Sequence, residues 1–124
     1  LGARRIGHGT HLFEMEEAVN CVLDYGVAIE TCLTSNLHTG AVKRLEDHPL
    51  PRMLAKGIPV SINADDPTLS RGLTLAEEYR VATDVLGLNK ETLRKVILDS
   101  VSQGFRPEVQ ASVRSGMVFP SICS

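Results

Sequence analysis

The chain has 124 residues, 43% of them apolar and 23% charged, which suits a single folded unit with a real core. Its 13 Lys and Arg against 15 Asp and Glu give a formal net charge of -2, and neither sign gathers into a block able to track a nucleic-acid backbone or an anionic membrane. No apolar run approaches a membrane span, and Leu1-Gly2-Ala3-Arg4-Arg5 has no hydrophobic stretch behind its arginines, so no nucleic acid and no membrane are the expectation, with a cytoplasmic location.

Arg5 to His8 form a short run closed by Gly9, and Glu14 to Tyr25 carry Met15, Ala18, Val19, Val22 and Leu23 at helical spacing, which predicts a strand and then a helix. Gly26 stops that helix, and Val27 to Cys32 are β-branched and mostly apolar, a second strand. Thr34-Ser35-Asn36 end the run with side chains that bond nearby backbone, Ala41 to Leu45 suggest a short helix before His48-Pro49, and Arg52 to Lys56 add a turn or two up to Gly57. Ile58 to Asn63 alternate as a third strand. Helices are predicted over Leu73 to Leu86, ended by Gly87, and over Lys90 to Gln103, with Asn89 as N-cap. Cys21, Cys32 and Cys123 are odd in number and far apart, which fits reduced thiols rather than a disulfide framework or a C-x-x-C site.

Strands alternating with helices predict parallel βαβ units with right-handed crossovers, either a doubly wound sheet or part of a barrel. In both, chemistry gathers at the carboxyl ends of the strands. Here those ends carry His8, the turn from Cys32 to Asn36, and Asp65-Asp66. The two carboxylates suit a division of labour between a metal ligand and a substrate acceptor, argued from the opposite directions of adjacent strand residues, although from spacing alone an Asx turn or helix cap is the weightier reading. His8 between Gly7 and Gly9 fits a general base or an orienter of a metal-activated water, or a turn histidine bonded to local backbone. His11 and His38 are weaker candidates, His48 before Pro49 reads as a turn former, and Cys32 shows no sign of thiolate activation. Glu77-Glu78 falls on a helix and is expected to be solvated.

Arg5-Ile6-Gly7-His8-Gly9, Glu30-Thr31-Cys32-Leu33-Thr34-Ser35-Asn36 with Thr39-Gly40-Ala41-Val42, His48-Pro49-Leu50, Ser61-Ile62-Asn63-Ala64-Asp65-Asp66-Pro67 and Glu77-Glu78-Tyr79 stand in this order. Together these blocks resemble the C-terminal part of adenosine deaminases, especially the bacterial-type enzymes, over about Arg4 to Phe105. The resemblance implies an α/β fold: about three βα units from the C-terminal part of a TIM (β/α)8 barrel of the metal-dependent hydrolase type. It implies a barrel portion over 1–105 and a weakly structured tail over 106–124. The implied activity belongs to purine salvage. Zinc activates a water that attacks C6 of adenosine or deoxyadenosine, releasing ammonia and leaving inosine or deoxyinosine. By that similarity His8 matches the catalytic histidine that orients the attacking water, Asp65 the metal-ligating aspartate and Asp66 the substrate-binding aspartate. Ala64 stands where many relatives carry threonine.

Members of this family also carry an H-x-H pair on the first strand, and a histidine three residues before a glutamate after the fifth. These would lie upstream of Leu1, so the chain reads as a fragment whose zinc, one per complete site, needs ligands from a missing N-terminal half. Alone it is expected to be inactive. The partner implied is a small-molecule purine nucleoside. The alternatives are an adenine or AMP-type deaminase, and a noncatalytic fragment docking through exposed strand edges and an apolar inner face.

Overall fold

A computed structural model of the chain describes residues 2–66, 72–104, 108 and 110–111. Its strands β1 (Arg5–Gly7), β2 (Ala28–Thr31) and β3 (Val60–Ile62) form a parallel sheet in the order β1-β2-β3. Helix α1 (Glu16–Asp24) crosses from β1 to β2, α2 (Leu33–His38) and α3 (Leu50–Ala55) cross from β2 to β3, and α4 (Leu75–Asp84) and α5 (Lys90–Ser102) follow. All three predicted strands form: the first loses only His8 at its end, the second loses one residue at each end, and the third loses Ile58, Pro59 and Asn63. Sequential strand order in one direction is what successive βα units of a barrel require. Among the described residues no helix is long and apolar enough to cross a membrane.

Register sets which side chains share a face. Ile6 pairs with Ile29, Ile29 with Val60 and Thr31 with Ile62. By the two-residue alternation of a strand these share one face, and Ile29, Val60 and Ile62 pack there with Val19, Val22, Leu50, Met53, Ala82 and Val96 from the helices. Full burial of side chains such as Ile29 and Val60 contributes about 1.5–3 kcal/mol each. The opposite face carries Arg5, Ala28, Glu30 and Ser61, and Arg5 reaches Glu30 at 3.1 Å. This second face therefore mixes charged and polar side chains with the buried Ala28.

Two helix expectations need correction. Ala41 to Leu45 do not form a helix; the segment bends, the Val42 amide donates to the Asn36 carbonyl at 3.0 Å, and a 3₁₀ turn comes only at Leu45–Asp47. Thr34-Ser35-Asn36 are not a turn but the body of α2. The cause lies in tertiary structure. Glu78, predicted to be solvated, is 1% exposed, and its carboxylate accepts from the amides of Leu33 at 2.8 Å and Thr34 at 3.1 Å. Those are orphan donors at a helix start, which Cys32 as N-cap does not satisfy. Glu77, one residue earlier, is exposed and closes a capping box with Thr74, its carboxylate accepting from the Thr74 amide at 2.7 Å.

Glu78→Ala is thus expected to lower stability by about 3 kcal/mol, because it leaves the buried Leu33 amide and the part-buried Thr34 amide without an acceptor. Urea unfolding measures this, and a loss below about 1 kcal/mol would contradict the role given to the carboxylate. Asn89 caps α5 as predicted, accepting from the Thr92 amide at 2.8 Å. The boundary at 105/106 and the tail over 106–124 lie almost wholly outside the described residues, as do Pro67 and Cys123.

Candidate active site at the carboxyl ends of the strands

β1 delivers His8 in an unusual backbone state. Its amide extends the ladder by donating to the Glu30 carbonyl at 2.8 Å, and its φ of 64° makes it the one non-glycine residue with positive φ among those described. Such a conformation costs most side chains energy, histidine less than β-branched ones. Gly9 follows with φ of 59°, and a Cβ placed there would meet Ile29 Cγ2 at 2.7 Å. Gly7 has open space around the same position, so only Gly9 is held by close packing. A sharp turn runs through 7–9, where the Gly9 amide donates to the Gly7 carbonyl at 2.9 Å.

Short α2 is the hub. Ser35 Oγ donates to Asp65 Oδ2 at 2.5 Å, which ties the residues after β2 to those after β3. The next residue, Asn36, sets Nδ2 2.9 Å from His8 Nδ1, which ties them to the end of β1. Asn36 Oδ1 lies 3.1 Å from His48 Nε2, and His48 Nδ1 accepts from the Leu50 amide at 3.1 Å, so His48 also caps the entry to α3. Asn36 and His48 are 2% and 3% exposed, which shields these bonds from water. Burial pushes the His48 imidazole down to about 4, so it is neutral near pH 7.

Asp65 is exposed, and its carboxyl is held below the usual range, first by the Ser35 hydroxyl and then by the Asp66 amide, which donates to Oδ1 at 2.9 Å. β3 ends at Ile62, so strand alternation does not extend to Asp65 and Asp66. What separates them is that Asp66 touches its neighbour through the backbone.

Ligand-capable atoms of His8, Cys32 and Asp65 lie within 4.8 Å of one another. Asp65 fits a divalent metal as it stands, being a charged oxygen donor already oriented by two hydrogen bonds. Cys32 fits poorly: burial, followed by the nearby Asp65 charge, pushes its thiol up to about 11. His8 has Nδ1 engaged by Asn36. Three donors at most fall short of a closed site, so further ligands would have to come from elsewhere. The Asp66 carboxylate is not in this group.

The expected site residues His8 and Asp65 are therefore brought together, with Asp66 adjacent. Ser35, Asn36 and His48 were not expected in these roles. Their signal was partly visible: the polar run directly after the second strand marked a rim, but nothing in the spacing linked His48 to it. His11, exposed and bonded to Glu14, and exposed His38 take no part in the network.

Comparison with known proteins places the chain in a family. The family model described as "Adenosine deaminase" matches residues 1–116. The adenosine deaminase of Yersinia pseudotuberculosis is 38% identical over 120 residues, covering 97% of this chain and 36% of the relative. That of Klebsiella pneumoniae is 38% identical over 108 residues, or 87% and 32%. Among solved structures, an adenine deaminase from Arthrobacter aurescens superposes with a TM-score of 0.80 at 28% identity, over 91% of this chain and 36% of that one. The N6-methyl-AMP deaminase of Arabidopsis thaliana gives 0.82 at 25% identity, over 94% and 34%. The chain thus spans about a third of the length of the relatives it matches.

Proposed function

The chain belongs to the adenosine deaminase family, and from that premise we propose that it forms the C-terminal part of a zinc-dependent enzyme converting adenosine or deoxyadenosine to inosine or deoxyinosine and ammonia. The observation that carries this reading is the convergence of His8 and Asp65, from different strand ends, on one hydrogen-bonded hub in α2.

In this reading Asp65 is an oxygen ligand, kept ionised and aimed by Ser35. The metal, when bound, would lower the pKa of water and make it nucleophilic near neutral pH. His8 orients the attacking oxygen and stabilises charge that develops at the reacting centre, and Asp66 helps to hold the purine. Water adds at C6, the exocyclic amine leaves as ammonia, and alignment contributes as much as polarisation.

A substrate reading with adenine or an N6-modified AMP draws support from the solved structures of similar fold, which are an adenine deaminase and an N6-methyl-AMP deaminase. The 38% identity to bacterial proteins named adenosine deaminase favours adenosine.

The test is a chimaera in which this chain replaces the matching segment of the Yersinia pseudotuberculosis adenosine deaminase, assayed with adenosine, adenine, AMP and N6-methyl-AMP. Adenosine is expected to give the highest kcat/KM. The isolated 124-residue chain with added Zn²⁺ is expected to show no turnover, since its described residues bring together at most three ligand-capable atoms, one of them the protonated Cys32 thiol. Preference for another substrate, or turnover by the isolated chain that disappears in Asp65→Ala, would refute the corresponding half of the proposal.

A further inference from the structure

The bonds joining Leu50, His48, Asn36 and His8 have a direction that can be derived link by link. A backbone amide can only donate, so His48 Nδ1, 3.1 Å from the Leu50 nitrogen, must present a lone pair. A neutral imidazole then carries its single proton on Nε2, which donates to Asn36 Oδ1 at 3.1 Å. Protonating His48 on both nitrogens would set N–H against N–H at Leu50, and burial already disfavours the charged ring. With Asn36 Oδ1 committed as acceptor, its other terminus is the amide nitrogen, which can only donate. His8 Nδ1, 2.9 Å away, must therefore accept. Rotating the Asn36 amide by half a turn would press its NH₂ against the His48 N–H in a site where both residues are at most 3% exposed. A buried donor left unsatisfied costs about 1–3 kcal/mol.

We propose that His48 and Asn36 are positioning residues whose directional relay fixes the proton of neutral His8 on Nε2, making this imidazole a hydrogen-bond donor rather than a base or metal ligand through that nitrogen. The inference deepens the deaminase reading and rests on it for what the donor faces. The relay itself stands on distances within this chain. It also gives a role to a buried histidine whose ring bonds run to Asn36 and Leu50. His48 reads the fixed direction of a backbone amide at the start of α3 and passes it, through one side-chain amide, to the end of β1.

The test uses the chimaera and two readouts, ¹⁵N spectra of the histidine rings and steady-state kinetics with metal analysis. In the parent, His8 Nδ1 is expected to resonate as an unprotonated nitrogen and Nε2 as a protonated one. Asn36→Asp offers only acceptors and should draw the His8 proton to Nδ1, with kcat down ~10²-fold and KM changed much less. His48→Gln keeps one acceptor for Leu50 and one donor for Asn36, and should preserve the tautomer and hold kcat within about threefold.

A parent whose His8 proton sits on Nδ1 overturns the relay, as does Asn36→Asp with unchanged tautomer and kcat. Should Asn36→Asp fail to fold, His48→Leu set against His48→Gln makes the same contrast: equal kcat in these two would also overturn it. The tautomer readout needs no turnover, so an inactive parent refutes the deaminase reading while leaving the relay to be decided by the spectra.

Discussion

Asp65→Ala in the chimaera is expected to remove the metal and the deaminase activity together, with activity down by ~10³-fold or more, because a catalytic zinc has few protein ligands and cannot spare one. Asp66→Ala should keep the metal and weaken purine binding. The difference follows from how the two residues meet: Asp66 reaches Asp65 through its backbone amide, which alanine retains, and its carboxylate lies outside the cluster of His8, Cys32 and Asp65. Ser35→Ala belongs between them. It removes the 2.5 Å bond that aims Asp65 and the first cause of its lowered pKa, and loss of a partner that orients a ligand typically costs ~10–100-fold in metal affinity. Elemental analysis beside inhibitor calorimetry distinguishes the three. Equal metal loss in the Asp65 and Asp66 variants would contradict the division of roles.

What could be seen of the fold in advance were the features that repeat locally. The period of two in Ile58 to Asn63, the helical spacing of Val19, Val22 and Leu23, and Asn89 before Lys90 each state their structure within a few residues, and the fold agrees. Where expectation failed, the deciding partner was distant in sequence. α2 is stabilised at its start by Glu78, 45 residues away from Leu33, so a polar run that looks like a turn becomes a helix. The same bond explains why adjacent glutamates differ so much. Glu77 is oriented by its own N-cap three residues back, while Glu78 falls on the side of α4 that faces α2.

The site divides the same way. His8 and Asp65 could be picked out because they follow strands, and in parallel α/β architectures strand ends converge whatever the loops do. Family resemblance then supplied roles that spacing alone left open. Asn36 and His48 could not be paired from sequence, since His48 before Pro49 has an adequate local explanation as a turn residue, and the structure shows that it fills that role as well by accepting from Leu50. Its second nitrogen does the unexpected work. Cys32 illustrates the opposite case. Proximity places it among the ligand-capable atoms, yet burial keeps its thiol protonated and argues against using it.

Replacing His8 should lower kcat by ~10²–10⁴-fold while leaving metal content close to that of the parent, the range expected when a positioned proton donor or acceptor is lost. The choice of substitution matters, because His8 has φ of 64°. Alanine there pays about 1–2 kcal/mol for the left-handed conformation, so His8→Ala mixes a backbone penalty with the loss of the ring. Asparagine tolerates that region and isolates the chemistry. Both variants should lose kcat and kcat/KM together, as when an interaction made in the transition state is removed, and His8→Ala should in addition unfold at lower denaturant. The Asn36 amide, deprived of its acceptor, accounts for part of any stability loss, since Nδ2 would be left facing an empty space at the hub. Kinetics, metal analysis and urea midpoints on the same preparations separate these contributions. If His8→Asn came out stripped of its metal, the imidazole would have to be a ligand, and the role proposed for it in orienting the attacking oxygen would be wrong.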